Sequence, residues 1–370
     1  MELHGKVMLM LNIYLFLTLF SFQSYRVNGA SSSSKVGCYF IFGDSLVDNG
    51  NNNNNNNNKG VARADYKPYG IDFSKDMIPT GRFTNGRNIA DFIAEFLGFE
   101  NYIPPFKNTR GFDILKGVNY ASGAAGIRDE TGMTQGERTS FNKQLGEHDN
   151  IISKINELLG EKSRTHLSSC LYMVNIGGND YLNNYFMPLY YKTSAQFTPQ
   201  QYSIALTKQL SDQLKRLYKN GARKIAIFGA GIVGCSPYAK AKFDHIGSPC
   251  VDKINNAIQL FNIGIKSLVE NFNTNFGNAN FIYVDVFNIA LHDTSSIQGV
   301  INKEIPCCEL RGDGLQCAVN GKVCGNRSEY IFWDGIHPTE IGMMTLATRA
   351  FNAQHPNDTY PFDINHLVQL

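Results

Sequence analysis

A serine, a histidine, an aspartate and an asparagine, distant along the chain, have the types and local settings that acyl transfer needs. Ser45 stands two residues after Gly43, which ends the run Tyr39, Phe40, Ile41, Phe42. An aromatic and β-branched run of this length reads as a buried strand, so Ser45 falls at the rim of a sheet, where open α/β sheets bind ligands. A hydroxyl there becomes a nucleophile if a base takes its proton, a third group orients the base, and N–H donors meet the developing oxyanion. Taken alone, Gly43-Asp44-Ser45 also suits a serine that merely caps a helix. His337 is the candidate base: Pro338 disfavours a helical backbone at the residue before it, which puts His337 in a loop just ahead of a helix marked by Ile341, Met344, Thr348 and Phe351. Asp334, three residues earlier, can accept from one imidazole nitrogen and turn the other toward Ser45. A turn Asp-Gly followed by a structural histidine is the competing reading. His148, His166, His245, His292, His355 and His366 have no evident orienting carboxylate at short, fixed spacing, and His4 lies in the leader. Asn179, in Gly177-Gly178-Asn179-Asp180, offers a side-chain amide to an oxyanion, beside backbone N–H groups at Ser45 and in the loop 122–126. A turn asparagine is the alternative there.

These groups meet only if the intervening chain builds a sheet with its loops on one edge. Strand-like runs recur at 117–121, 170–176, 224–228 and 281–286, and helical periodicity at 87–98, 149–159, 198–219 and 252–272. Strands alternating with helices predict a mostly parallel sheet covered on both faces. Right-handed crossovers then place Ser45, the SGAAG loop and the GGND loop on the same edge. GAGIVG at 229–234 matches a dinucleotide-binding glycine pattern, but no helix is expected to open within it. The absence of a G-x-S-x-G elbow argues against an α/β-hydrolase fold. Eight consecutive asparagines, Asn51 to Asn58, are read as a flexible surface loop too polar to join a core. The aromatic stretch 181–191 suits ordinary packing, with an acyl-chain groove or lid as the rival.

Met1 to Phe22 carries a basic start and a short apolar run, followed by small residues near Gly29 and Ala30, which predicts a secretory signal peptide over 1–29 and one domain over 30–370. With 34 basic and 32 acidic residues, net charge +2, nothing points to nucleic acid. No later apolar segment is long enough for stable membrane insertion. The eight cysteines suggest disulfides in an oxidising compartment: Cys307, Cys308, Cys317 and Cys324 suit two local bridges and Cys235 with Cys250 a third. Cys38 and Cys170, on predicted strands, read as buried thiols, and a metal site is the rival for the C-terminal four. Asn326 and Asn357 head N-glycosylation sequons.

FGDSLVDNGNN, GVNYASGAAGI, IGGNDY and FWDGIHPTE, in this order, resemble the four signature blocks of the plant GDSL esterase/lipase family within the SGNH hydrolases. PTGRFTNGRNIADFIAEFLG and GCSPY match it too. The resemblance implies a three-layer α/β/α sandwich, flavodoxin-like, with a five-stranded and mostly parallel sheet. It implies Ser45 as nucleophile, His337 as base, Asp334 as its orienter, and an oxyanion hole from Ser45, Asn179 and the loop where many relatives have Gly-Gly and this chain has Gly123-Ala124. Which of Gly123 and Ala124 donates stays open. The expectation is therefore a secreted, monomeric serine esterase or lipase of the cell wall or apoplast, acting on small-molecule or lipid esters without cofactor or metal. An acyltransferase using the same acyl-enzyme, or a catalytically silent binding protein of the same fold, is the alternative.

Overall fold

Alternation of apolar side chains along short strands builds the centre of the molecule, for which a computed structural model describes residues 34–53, 61–243, 247–293 and 299–370. The expected signal peptide and Asn54 to Asn58 lie outside the described residues. β1 (Tyr39–Gly43), β2 (Leu171–Asn175), β3 (Lys224–Phe228) and β4 (Asn280–Val284) are neighbours in that order and all parallel. β5 (Asn302–Pro306) and β6 (Tyr330–Phe332) form a separate two-stranded ribbon, and β7 (Thr359–Tyr360) closes the β4 edge antiparallel. Phe40, Phe42, Tyr172, Val174, Ile225 and Ile227 point into one apolar layer; Tyr39, Ile41, Leu171 and Met173 point into the other. Both faces are thus buried, as the near-continuous apolar runs require.

The strand expected at 117–121 runs along the outer edge of β1 without forming a regular strand. Tyr39 N–H donates to the Lys116 carbonyl, Ile41 N–H to Val118, Tyr120 N–H to Ile41 and Ser122 N–H to Gly43. Gly117 crosses β1 so closely, at φ +127, that a Cβ would lie 2.0 Å from the Tyr39 carbonyl oxygen. Only glycine fits. The sheet is therefore mostly parallel, with this segment outside β1 and an antiparallel strand at the far edge.

Helix α1 (Ile89–Leu97) starts at a capping box, Asn88 with Asp91, and stops at Gly98 in the left-handed conformation. The buried, two-pronged ion pair of Arg82 with Asp91 and the bond from Asn88 to Asn49 fasten its start to the loop after β1. α2 (Phe141–Leu159) begins well before the expected Asp149; its first turns bury Gln144 and His148 where apolar periodicity would give aliphatic residues. α3 (Pro199–Lys219) and α4 (Asp252–Asn275) join α2 over one face of the sheet; α1 and α5 (Glu340–Phe351) cover the other. A short helix at Pro237–Phe243 follows the GAGIVG loop, earlier than the expected start near 252.

Two sequence expectations are corrected here, and the expected bridges among the other six cysteines are present. Cys38 and Cys170 are disulfide-bonded rather than free thiols, since Tyr39 pairs with Leu171 and the residues preceding them stand side by side, 4.5 Å between Cα atoms. Cys307–Cys324 and Cys308–Cys317 are bonded, so the C-terminal four offer no thiolates to a metal; Cys235–Cys250 is the fourth bridge. Asn51 and Asn52 are buried and hydrogen-bonded rather than part of a surface loop.

Candidate active site

Ser45 follows β1 directly, held by a tight turn in which the Val47 N–H donates to the Asp44 carbonyl and the Leu46 N–H to the Asp44 carboxylate at 3.1 Å. Asp334 and His337 follow β6. The Trp333 N–H donates to the His337 carbonyl, closing a narrow loop that brings the two side chains together. The Asp334 carboxylate accepts from the backbone N–H of Ile336 (2.9 Å) and His337 (2.8 Å), and lies 2.8 Å from His337 Nδ1. His337 Nε2 stands 2.7 Å from Ser45 Oγ. With Nδ1–H donating to the fully buried carboxylate, Nε2 is left unprotonated and can accept the serine proton.

The Tyr69 hydroxyl donates to Asp334 Oδ2 at 2.6 Å and accepts from the Cys317 N–H at 3.1 Å. It thereby ties the carboxylate to the Cys308–Cys317 bridge, and burial and the adjacent Asp334 charge keep it protonated, raised well above the ordinary tyrosine range. Neither Tyr69 nor this link stood out in the sequence, where a lone tyrosine in a polar stretch carries no signal.

Around the serine, the candidate oxyanion donors separate. The Ser45 N–H and the Ala124 N–H have no hydrogen-bond partner among the described residues, and both residues border the same cavity. The Gly123 N–H is instead taken by Asp48 Oδ2 at 3.0 Å. Asn179 Nδ2 donates to the Ala125 carbonyl (3.0 Å) while its Oδ1 accepts from Asn183 (2.7 Å), which fixes the amide and leaves its second N–H for the cavity. Asp180 accepts from the Ile127 and Arg128 N–H groups and from the Thr131 hydroxyl, so the GGND loop braces the SGAAG loop.

Burial raises three carboxylates at this rim: Asp44 to about 7, Asp48 to about 6 and Asp180 to about 6, each partly offset by the backbone N–H groups it accepts from. The cavity above Ser45 and His337 holds about 310 Å³ and is walled by Phe83, Leu182, Ile232, Val233, Val286 and Phe332. Of the aromatic stretch 181–191, Tyr181 and Tyr185 pack into the core, Leu182 reaches the cavity, and Leu189 and Tyr190 are exposed. Both sequon residues, Asn326 and Asn357, are exposed.

Chemically, the arrangement pairs a hydroxyl with an oriented base beside free N–H donors under an apolar chamber, the parts needed to open an ester. The chain matches the GDSL-like Lipase/Acylhydrolase family over residues 39–350. Among curated relatives, one GDSL esterase/lipase of Arabidopsis thaliana is 46% identical, covering 91% of this chain and 92% of the relative. A second from the same plant is 45% identical over 97% and 98%, and a third 44% over 93% and 95%. A crystal structure of phospholipase A1 from Streptomyces albidoflavus NA297 aligns over 84% of this chain and 95% of that one, at 16% identity and a TM-score of 0.35.

Proposed function

Because the chain belongs to the GDSL-like lipase/acylhydrolase family, we propose that it hydrolyses carboxylic esters through an acyl-enzyme on Ser45. Ser45 Oγ attacks the ester carbonyl carbon as its proton passes to His337 Nε2. The carbonyl oxygen becomes an oxyanion facing the N–H groups of Ser45, Ala124 and Asn179. Collapse expels the alcohol, which takes the proton back from His337. Water, deprotonated by the same nitrogen, then attacks the acyl-enzyme, and as the acyl–Oγ bond breaks His337 returns that proton to Ser45 Oγ and the acid leaves. Asp334 holds the tautomer and stabilises the imidazolium that forms in each half-reaction. The observation that carries this reading is the unbroken line from Ser45 Oγ to His337 Nε2 and from Nδ1 to Asp334, under an apolar cavity.

The apolar walls suit the acyl chain of a lipid or other small-molecule ester. We infer secretion of a single domain, residues 30–370, after removal of 1–29; four disulfides favour an oxidising compartment, and exposed Asn326 and Asn357 favour glycosylation. Among the described residues no helix is long and apolar enough to cross a membrane. In this reading a monomer suffices, every proposed site residue being supplied by one chain.

Mass spectrometry after brief mixing with a p-nitrophenyl ester tests it. An acyl adduct on Ser45 in wild type, absent from Ser45→Ala, is expected. Turnover by Ser45→Ala at the wild-type rate contradicts it. Adding an alcohol acceptor and analysing products separates hydrolysis from acyl transfer.

A further inference from the structure

An N–H group stabilises an oxyanion only if its peptide plane is held before the reaction begins. In a trans peptide the C=O and N–H point to opposite sides, so whatever grips the Gly123 carbonyl also aims the Ala124 N–H. Asn52 is that grip: its Nδ2 donates to the Gly123 carbonyl at 3.0 Å and to the Ala62 carbonyl at 2.7 Å. Its Oδ1 accepts from the Ser122 hydroxyl at 2.5 Å, and Ser122 Oγ accepts from the Thr139 N–H at 2.9 Å. On the preceding peptide, the Gly123 N–H donates to Asp48 Oδ2, whose other oxygen accepts from Gly50 and Asn51 at 2.8 and 2.7 Å. Asp48, Asn52 and Ser122 are all at least 97% buried, so water does not compete for these bonds. The clamp also holds a conformation that is unfavourable in itself. Ala124 has φ +62, a left-handed conformation that a residue with a Cβ disfavours. Gly123 admits no side chain, since a Cβ would lie 2.5 Å from Phe83 Cζ and 2.9 Å from Asn52 Nδ2.

We propose that Asp48 and Asn52 are positioning residues that together lock the Gly123–Ala124 peptide plane and present the Ala124 N–H to the oxyanion. This rests on the reading of Ser45 as nucleophile. It also gives the start of the asparagine tract a function, because Asn52 is its second residue.

Asp48→Asn is nearly isosteric, yet its one oxygen is needed by Gly50 and Asn51, so an NH₂ group faces the Gly123 N–H. The expected result is kcat lower by about 10- to 100-fold with KM changed less than about threefold, approaching the loss of a full oxyanion donor. The inhibition constant of an alkyl boronate, which mimics the charged tetrahedral state, should weaken by a matching factor. Rates are expressed per serine labelled to completion by a fluorophosphonate, so unfolded protein does not count. Asn52→Ala should show the same split and serves if Asp48→Asn does not fold. Unchanged kcat per labelled serine, with only thermal stability reduced, overturns the positioning role. Wild type that neither labels nor turns over esters overturns the serine reading beneath it, a separate failure.

Discussion

Two histidines are buried among the described residues, and their surroundings differ in one respect that separates a site from a core. His148 is enclosed by the rings of Phe40, Phe42, Tyr120 and Tyr172, with centroids 4.8, 5.2, 5.4 and 5.8 Å away, and only the Tyr120 hydroxyl reaches its Nδ1, at 3.0 Å. Burial pushes that imidazole down to about 3, so it stays neutral at any pH the protein meets. His337 is buried too, against Phe83 at the edge of the cavity, but a fully buried carboxylate holds one nitrogen and a serine hydroxyl meets the other. Burial alone silences an imidazole. Beside an oriented carboxylate and a serine hydroxyl, a buried imidazole has a polar partner on each nitrogen.

That contrast is sharpest in the largest expected effect. His337→Ala should lower kcat by roughly 10⁶-fold, as removal of the base in a coupled triad does, while His148→Phe should leave kcat within about threefold, since a ring still fills the cage. Equal losses in steady-state hydrolysis would break the comparison. Asp334→Asn keeps the shape and loses the charge that sets the tautomer, so kcat should fall about 10⁴-fold. Asn179→Ala touches neither imidazole; a kcat loss of about 10²- to 10³-fold is expected, with the pH dependence of kcat/KM unmoved. Tyr69→Phe removes one hydrogen bond to the carboxylate, a group worth about 1.5–3 kcal/mol when charged, and should cost about tenfold in kcat, visible in progress curves with a short-chain ester.

The smallest effect concerns stability. In the unfolded chain His148 takes up its proton near pH 6.5, whereas in the folded chain it does so only near 3. Between those values the unfolded state holds the extra proton. Stability from this group therefore falls on acidification, by up to ~1.4 kcal/mol per pH unit, and is unaffected above pH 6.5. The urea midpoint of wild type should fall relative to that of His148→Phe as pH drops from 7 to 5. Parallel lines would mean that His148 is not buried neutral.

Much of this was legible in the sequence because it is local. The YFIFG strand, the α1 helix with its glycine stop, and the Asp334–His337 pairing across a proline-bounded loop each follow from residues within a few positions of one another. What could not be read depends on which strands become neighbours. Cys38 meets Cys170 only because β1 lies beside β2, and Tyr69 meets Asp334 only across 265 residues of chain. The asparagine tract misled for a related reason: polarity predicts solvent, but Asn51 and Asn52 satisfy buried carbonyls of a loop that the sequence does not place beside them. Between Gly123 and Ala124 the difference lies in a third residue, Asp48, which occupies the glycine N–H and leaves the alanine N–H without a partner among the described residues.

The central claim is that hydroxyl and imidazole act as one unit, and the most direct measurement is kcat for Ser45→Ala, His337→Ala and the double variant on one ester. If the two groups share a single proton transfer, the double variant is no slower than either single one, each lying roughly 10⁶-fold below wild type. Losses that multiply in the double variant, or a single variant that keeps most of its activity, would contradict the account.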